Sequence, residues 1–99
     1  MAYGLSDENI LKIIDIFESL PEISEAILYG SRAMGKYRKG SDIDITLKGN
    51  LTFNHLLKLY NMMEDSNLPY TFDLSIYKDI TNPSLLDHIH RVGIVFYQK

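Results

Sequence analysis

Asp42-Ile43-Asp44-Ile45-Thr46-Leu47-Lys48 alternates strictly between polar and apolar side chains, the period-two pattern of a strand with one face buried. Ile43, Ile45 and Leu47 fall on the apolar face, and Asp42, Asp44, Thr46 and Lys48 on the polar one. Two aspartates at i and i+2 point the same way and repel each other unless a cation or water screens them. Polar residues of such a strand usually do no more than face solvent, so the pair alone is weak grounds for chemistry. Its neighbours decide the reading.

Upstream, Ala26 to Tyr29 is a short apolar run that stops at Gly30, which reads as a buried strand leading into Gly30-Ser31. Glycine at such a turn lets backbone amides approach a phosphate, and the serine hydroxyl can donate to it. Arg32, Lys36, Arg38 and Lys39 follow within eight residues that contain no acid. With the overall net charge at −3, the rest of the chain carries about −7, which argues against a long nucleic acid as ligand. A triphosphate at the glycine-serine turn would meet this basic loop on one side and a metal at Asp42 and Asp44 on the other. Magnesium suits that place, because it takes one or two carboxylates plus phosphate oxygens and can act in pairs.

Downstream, residues 70 to 77 alternate again, with Tyr70, Phe72, Leu74 and Ile76 on one face and Asp73 on the other. Helices are expected over about 7 to 19 behind the N-cap Ser6, from Thr52 or Asn54 to about 65, and from Asn82-Pro83 to about Arg91. Ile94 to Tyr97 can add an edge strand. The order of elements predicts an α+β fold, a small mixed sheet of three to four strands with helices on one face. Those helices would cover Ile43, Ile45, Phe72 and Leu74, leaving Asp42, Asp44 and Asp73 together on the open side.

At 99 residues, with 45% hydrophobic content, the chain is expected to be one globular domain spanning 1–99, only marginally stabilised by burial and open to help from a partner chain. No apolar run nears the roughly 18 residues needed to span a bilayer, and the acidic, polar start is no secretory signal, so a cytoplasmic location without a membrane partner is expected. Zero cysteines exclude disulfides, thiolate catalysis and cysteine-ligated zinc.

Leu28-Tyr29-Gly30-Ser31-Arg32-Ala33-Met34-Gly35 followed by Gly40-Ser41-Asp42-Ile43-Asp44-Ile45 resembles the signature of polymerase-beta-type nucleotidyltransferases in their minimal form. The resemblance implies the nucleotidyltransferase fold, with Gly30 and Ser31 on the nucleotide phosphates and Asp42 and Asp44 on two Mg2+ ions. Asp73 would hold the catalytic metal and help deprotonate an acceptor hydroxyl. Arg32 and Ser41 join the nucleotide-binding set, with ATP as the expected donor. Minimal nucleotidyltransferases of this kind are antitoxins paired with a HEPN-domain toxin, and some adenylylate a tyrosine of it; the resemblance implies that partner, in a hetero-complex or oligomer. Many relatives carry a second arginine where this chain has Met34.

Two rivals remain beside this reading. Asp42-Ile43-Asp44-Ile45-Thr46 superficially matches the nucleophile motif of aspartyl-phosphate phosphatases, but that motif needs an apolar strand leading into the first aspartate. The other rival is an antitoxin that works by occlusion without catalysis. His88 and His90, two apart near a helix end, read as surface residues or as residues that complement the helix C-terminal dipole, and His55 as structural. Tyr29, Tyr60 and Tyr70 read as packing residues with bonded hydroxyls, and Tyr37 as an exposed loop residue.

Overall fold

The computed structural model describes residues 1–99. Helix α1 (Asp7–Glu18) starts where the Ser6 side chain accepts from the Asn9 amide, with Asp7 and Glu8 placed favourably in the first turn. Strand β1 (Ile23–Tyr29) leads without a loop into a single helical turn, α2 (Gly30–Ala33). Strand β2 (Ile43–Gly49) follows, then α3 (Phe53–Asp65), whose N-cap amide at Thr52 donates to His55 Nδ1 at 2.9 Å. His55 is therefore a capping residue. Strand β3 (Phe72–Ile76) ends in a 3-10 turn over Tyr77–Asp79. Helix α4 (Pro83–Val92) is capped by the Asn82 side chain with Pro83 at its first position, and β4 (Ile94–Gln98) closes the chain.

The sheet is mixed, in the order β3-β2-β1-β4. β1 runs antiparallel to β2 and β4, while β2 and β3 are parallel. β1 is longer than the apolar run announces, because it begins at Ile23 and carries a register irregularity between Ile23 and Glu25 that interrupts alternation.

One face of the sheet holds the main core of 17 buried residues. Ala26, Leu28, Ile43, Ile45, Leu47, Leu74 and Ile76 meet Ile13, Ile16 and Phe17 of α1 and Leu59 and Met63 of α3 there. The third long helix does not join them. α4 lies across the opposite face, where Ile89 packs on Ile27 and Tyr29 of β1 with Leu85 and Val92 beside it. The reason lies in β1 itself, whose polar-face positions carry Ile27 and Tyr29 and need cover. The open face is thus reduced to β2 and β3, with α4 as its wall.

β3 is an edge strand, and its outward backbone is met by a side chain: the Leu74 amide donates to the Tyr60 hydroxyl at 2.8 Å. No helix is long and apolar enough to cross a membrane.

Candidate active site

Register brings the acids together. Asp44 on β2 pairs with Tyr29 on one side and with Asp73 on β3 on the other, and paired residues in a sheet share a face. Asp42 stands two residues before Asp44 and so faces the same way. Asp42 and Asp73 are exposed and Asp44 is half-buried. None of the three is in an ion pair with a cation. Desolvation holds the Asp44 carboxyl above its ordinary value, and the negative charges of Asp73 and then Asp42 push it further, against a smaller opposing effect of the Arg32 charge.

The rest of this face is polar but short of partners. The hydroxyls of Thr46 and Ser75, one rung further along the paired strands, are buried without hydrogen bonds. Burial likewise raises the Tyr29 hydroxyl above its ordinary range, and the charges of Asp73 and Asp44 add to it.

Any other residue at Gly30 would be strained and would displace the Asp44 side chain. The glycine φ is +75°, and a Cβ there would run into the Asp44 carboxylate oxygen. The glycine after β1 is thus what allows Asp44 to lie against the strand-to-helix corner. On the other side of the corner, the Gly30 amide donates to Nε2 of His88 at 3.1 Å, and the imidazole stands edge-on to the Tyr29 ring at 6.1 Å and 80°. That amide already has an acceptor, so phosphate donors at the corner would begin with Ser31. Sequence reasoning took His88 for a surface residue. The signal was present in its spacing, since Leu85, His88, Ile89 and Val92 lie on one helical face.

Arg32 and Ser41 are both engaged inside the protein. Arg32 is only 4% exposed; its Nη1 donates to the Tyr3 carbonyl at 2.9 Å, and its Nε and Nη2 to the Ser41 carbonyl at 3.2 and 2.8 Å. Its guanidinium lies between the rings of Tyr37 and Tyr70, at 5.6 and 5.4 Å from their centroids. Gly4, with φ +74°, leaves the room this stack needs, because a Cβ would press on Tyr37 and Arg32. The Ser41 hydroxyl accepts from the Arg38 amide at 2.8 Å, turning the loop into β2. Both residues shape the basic loop from within. The cations left to solvent are Lys36, Arg38 and Lys39, and the last two line a cleft of about 390 Å³ with Tyr37 and Tyr70.

No three His, Asp or Glu side chains close into a preformed metal cage. The donor set nonetheless fits Mg2+: all oxygen, negatively charged, unpaired and mutually repelling. Mg2+ needs only one or two protein carboxylates when phosphate oxygens and water complete its octahedron.

The family model described as polymerase beta, nucleotidyltransferase, matches residues 11–99. Among solved structures, the fold is similar to a chain in a toxin–antitoxin crystal structure with AMP-PNP, at 22% identity and TM-score 0.75, covering 92% of this chain and 74% of that one. It is similar to a chain in a tri-AMPylated Shewanella oneidensis HEPN toxin complexed with MNT antitoxin, at 18% identity and TM-score 0.67, covering 96% and 74%. A chain of the toxin–antitoxin MntA-HepT has 18% identity and TM-score 0.66, covering 95% and 74%. No curated protein matches the chain.

Proposed function

The chain belongs to the polymerase beta nucleotidyltransferase family, and from that premise we propose that it is a magnesium-dependent adenylyltransferase that moves AMP from ATP to a tyrosine of a HEPN-type toxin and so acts as its antitoxin. The observation that carries this reading is the Asp44–Asp73 pair, flanked by Asp42 and set against the Gly30 corner. The similar toxin–antitoxin structures, one with AMP-PNP and one with an AMPylated HEPN toxin, support the choice of donor and partner. Residues 1–99 then form a single nucleotidyltransferase domain at work in the cytoplasm.

Asp42 and Asp44 would hold two Mg2+ ions and Asp73 the catalytic one. The metal supplies neutralisation of the triphosphate and of the charge that develops in the transition state. Ser31 and the exposed Arg38 and Lys39 bind phosphate, while Arg32 and Ser41 hold the loop that carries those cations. The acceptor hydroxyl passes its proton to Asp73 as its oxygen bonds to the α-phosphorus, and the bond to the bridging oxygen breaks to release pyrophosphate. Half-burial of Asp44 raises its affinity for any cation that restores its charge balance.

One observation favours occlusion without transfer as a second reading. Arg32 is spent on carbonyls, and Met34, 41% exposed, stands where many relatives carry arginine, so the cradle has few fixed cations. Incubation with labelled ATP, Mg2+ and a HEPN-domain protein encoded beside the chain, followed by mass spectrometry, separates the two. An AMP adduct on a tyrosine is expected. Protection of cells by a variant with Asp42, Asp44 and Asp73 all changed to asparagine, without any adduct, would establish occlusion instead.

A further inference from the structure

We infer that His88 is a positioning residue, which fixes the strand-to-helix corner at Gly30 and thereby sets the Asp44 carboxylate for the transfer proposed above. The inference rests on that proposal for its catalytic consequence, but its structural half stands on the contacts alone.

Three constraints converge on Gly30. Its backbone is left-handed, its Cα side is filled by the Asp44 carboxylate, and its amide donates to His88 Nε2 at 3.1 Å. An acceptor Nε2 on a neutral ring requires the proton on Nδ1, so the contact selects one tautomer. The imidazole is held in turn. It sits edge-on to Tyr29, and the next residue, Ile89, is buried against Ile27 and Tyr29. α4 thus reaches across the sheet and pins the residue that faces Asp44. A corner released from His88 lets Gly30 drift, and the carboxylate packed against it loses its stop. A shift of about 1 Å at a reacting group can cost about a hundredfold in rate, while the affinity for ATP, spread over phosphates, loop and metal, changes little.

The test uses the full chain labelled with 15N and three proteins, wild type, His88→Ala and His88→Gln. A scalar coupling across the hydrogen bond between the Gly30 and His88 Nε2 nitrogens, with ring shifts reporting a protonated Nδ1, is expected in the wild type. In transfer assays with ATP, Mg2+ and the HEPN-domain protein, His88→Ala should lower kcat about 10–100-fold. KM for ATP should stay within about threefold, the mark of an interaction that acts on the transition state. His88→Gln, whose Oε1 can accept from Gly30, should recover most of kcat. Absence of the coupling, a proton on Nε2, or kcat of the alanine variant within about threefold of wild type overturns the inference. Should His88→Ala fail to fold, a glutamine variant with kcat as low as about a tenth and a released Gly30 amide supports it, and the same loss with that amide still bonded overturns it. A wild type that transfers nothing overturns the adenylyltransferase reading instead, and the coupling alone then decides the corner.

Discussion

The two faces of β2 and β3 share one backbone and have opposite energetics. On one face Ile43, Ile45 and Leu47 are fully buried in the main core, each contributing about 1.5–3 kcal/mol by leaving water. One residue over, the same strands carry Asp44, whose carboxyl burial and neighbours disfavour its charge, and the hydroxyls of Thr46 and Ser75, buried without partners. Groups of the second kind lower stability, and a fold retains them where they meet a ligand. The apolar face makes the sheet; the acid face draws on the stability so created.

The largest effect should come from removing that tension. Asp44→Asn is expected to reduce nucleotidyl transfer by about 10³-fold, roughly 4 kcal/mol in the barrier, while raising the melting temperature of the metal-free protein at neutral pH. The sign follows from the raised Asp44 carboxyl. Its ionisation is harder in the folded chain than in the unfolded one, so its relative contribution is most favourable below the ordinary value of 3.8 and is lost as pH rises through the folded value. The gap in melting temperature between variant and wild type should therefore open from about pH 4 upward and then level off. Lower stability of the asparagine variant at pH 7 would mean that Asp44 is structural, and the contrast between the faces would fall. Ile45→Ala, one residue away on the other face, should cost about 2–5 kcal/mol in denaturant unfolding. Specific activity per folded molecule should survive it.

Much of this contrast is legible in the sequence, because period-two alternation in β2 and β3 assigns each side chain to a face. Alternation also placed Asp42, Asp44 and Asp73 together. It could not place α4, since the side on which a helix crosses depends on which strand face remains uncovered, and Ile27 and Tyr29 belong to a run that is apolar on both faces. His88 was missed with it. Arg32 is hard to read in sequence for a different reason: a cation beside a glycine-serine turn has the same appearance whether it reaches outward or folds back onto carbonyls 29 and 9 residues away. Lysine in its place keeps the charge but cannot fork between the Tyr3 and Ser41 carbonyls. Arg32→Lys should thus cost about 2 kcal/mol of stability, read by denaturant unfolding, and raise KM for ATP as the loop loosens. A variant as stable as wild type would return Arg32 to the nucleotide.

The smallest effect lies where the two faces meet, at the free edge of β3. An edge strand offers unpaired amides and carbonyls to any passing strand, and here the Tyr60 hydroxyl accepts from the Leu74 amide at 2.8 Å and lies 3.4 Å from the Leu74 carbonyl. Tyr60 is 37% exposed, so its ring adds modest apolar burial and the hydroxyl is its main structural contribution. Phenylalanine preserves the ring and removes that cap. Tyr60→Phe should lower unfolding free energy by about 1 kcal/mol, the usual net value of one hydrogen bond, and leave transfer unchanged because neither Asp44 nor Asp73 moves. It should also make self-association more favourable, which sedimentation at rising concentration would detect, since the Leu74 backbone groups become free to pair with another chain. Loss of stability without added association would assign the hydroxyl to packing of α3 on β3 and leave the edge guarded by its short length of five residues.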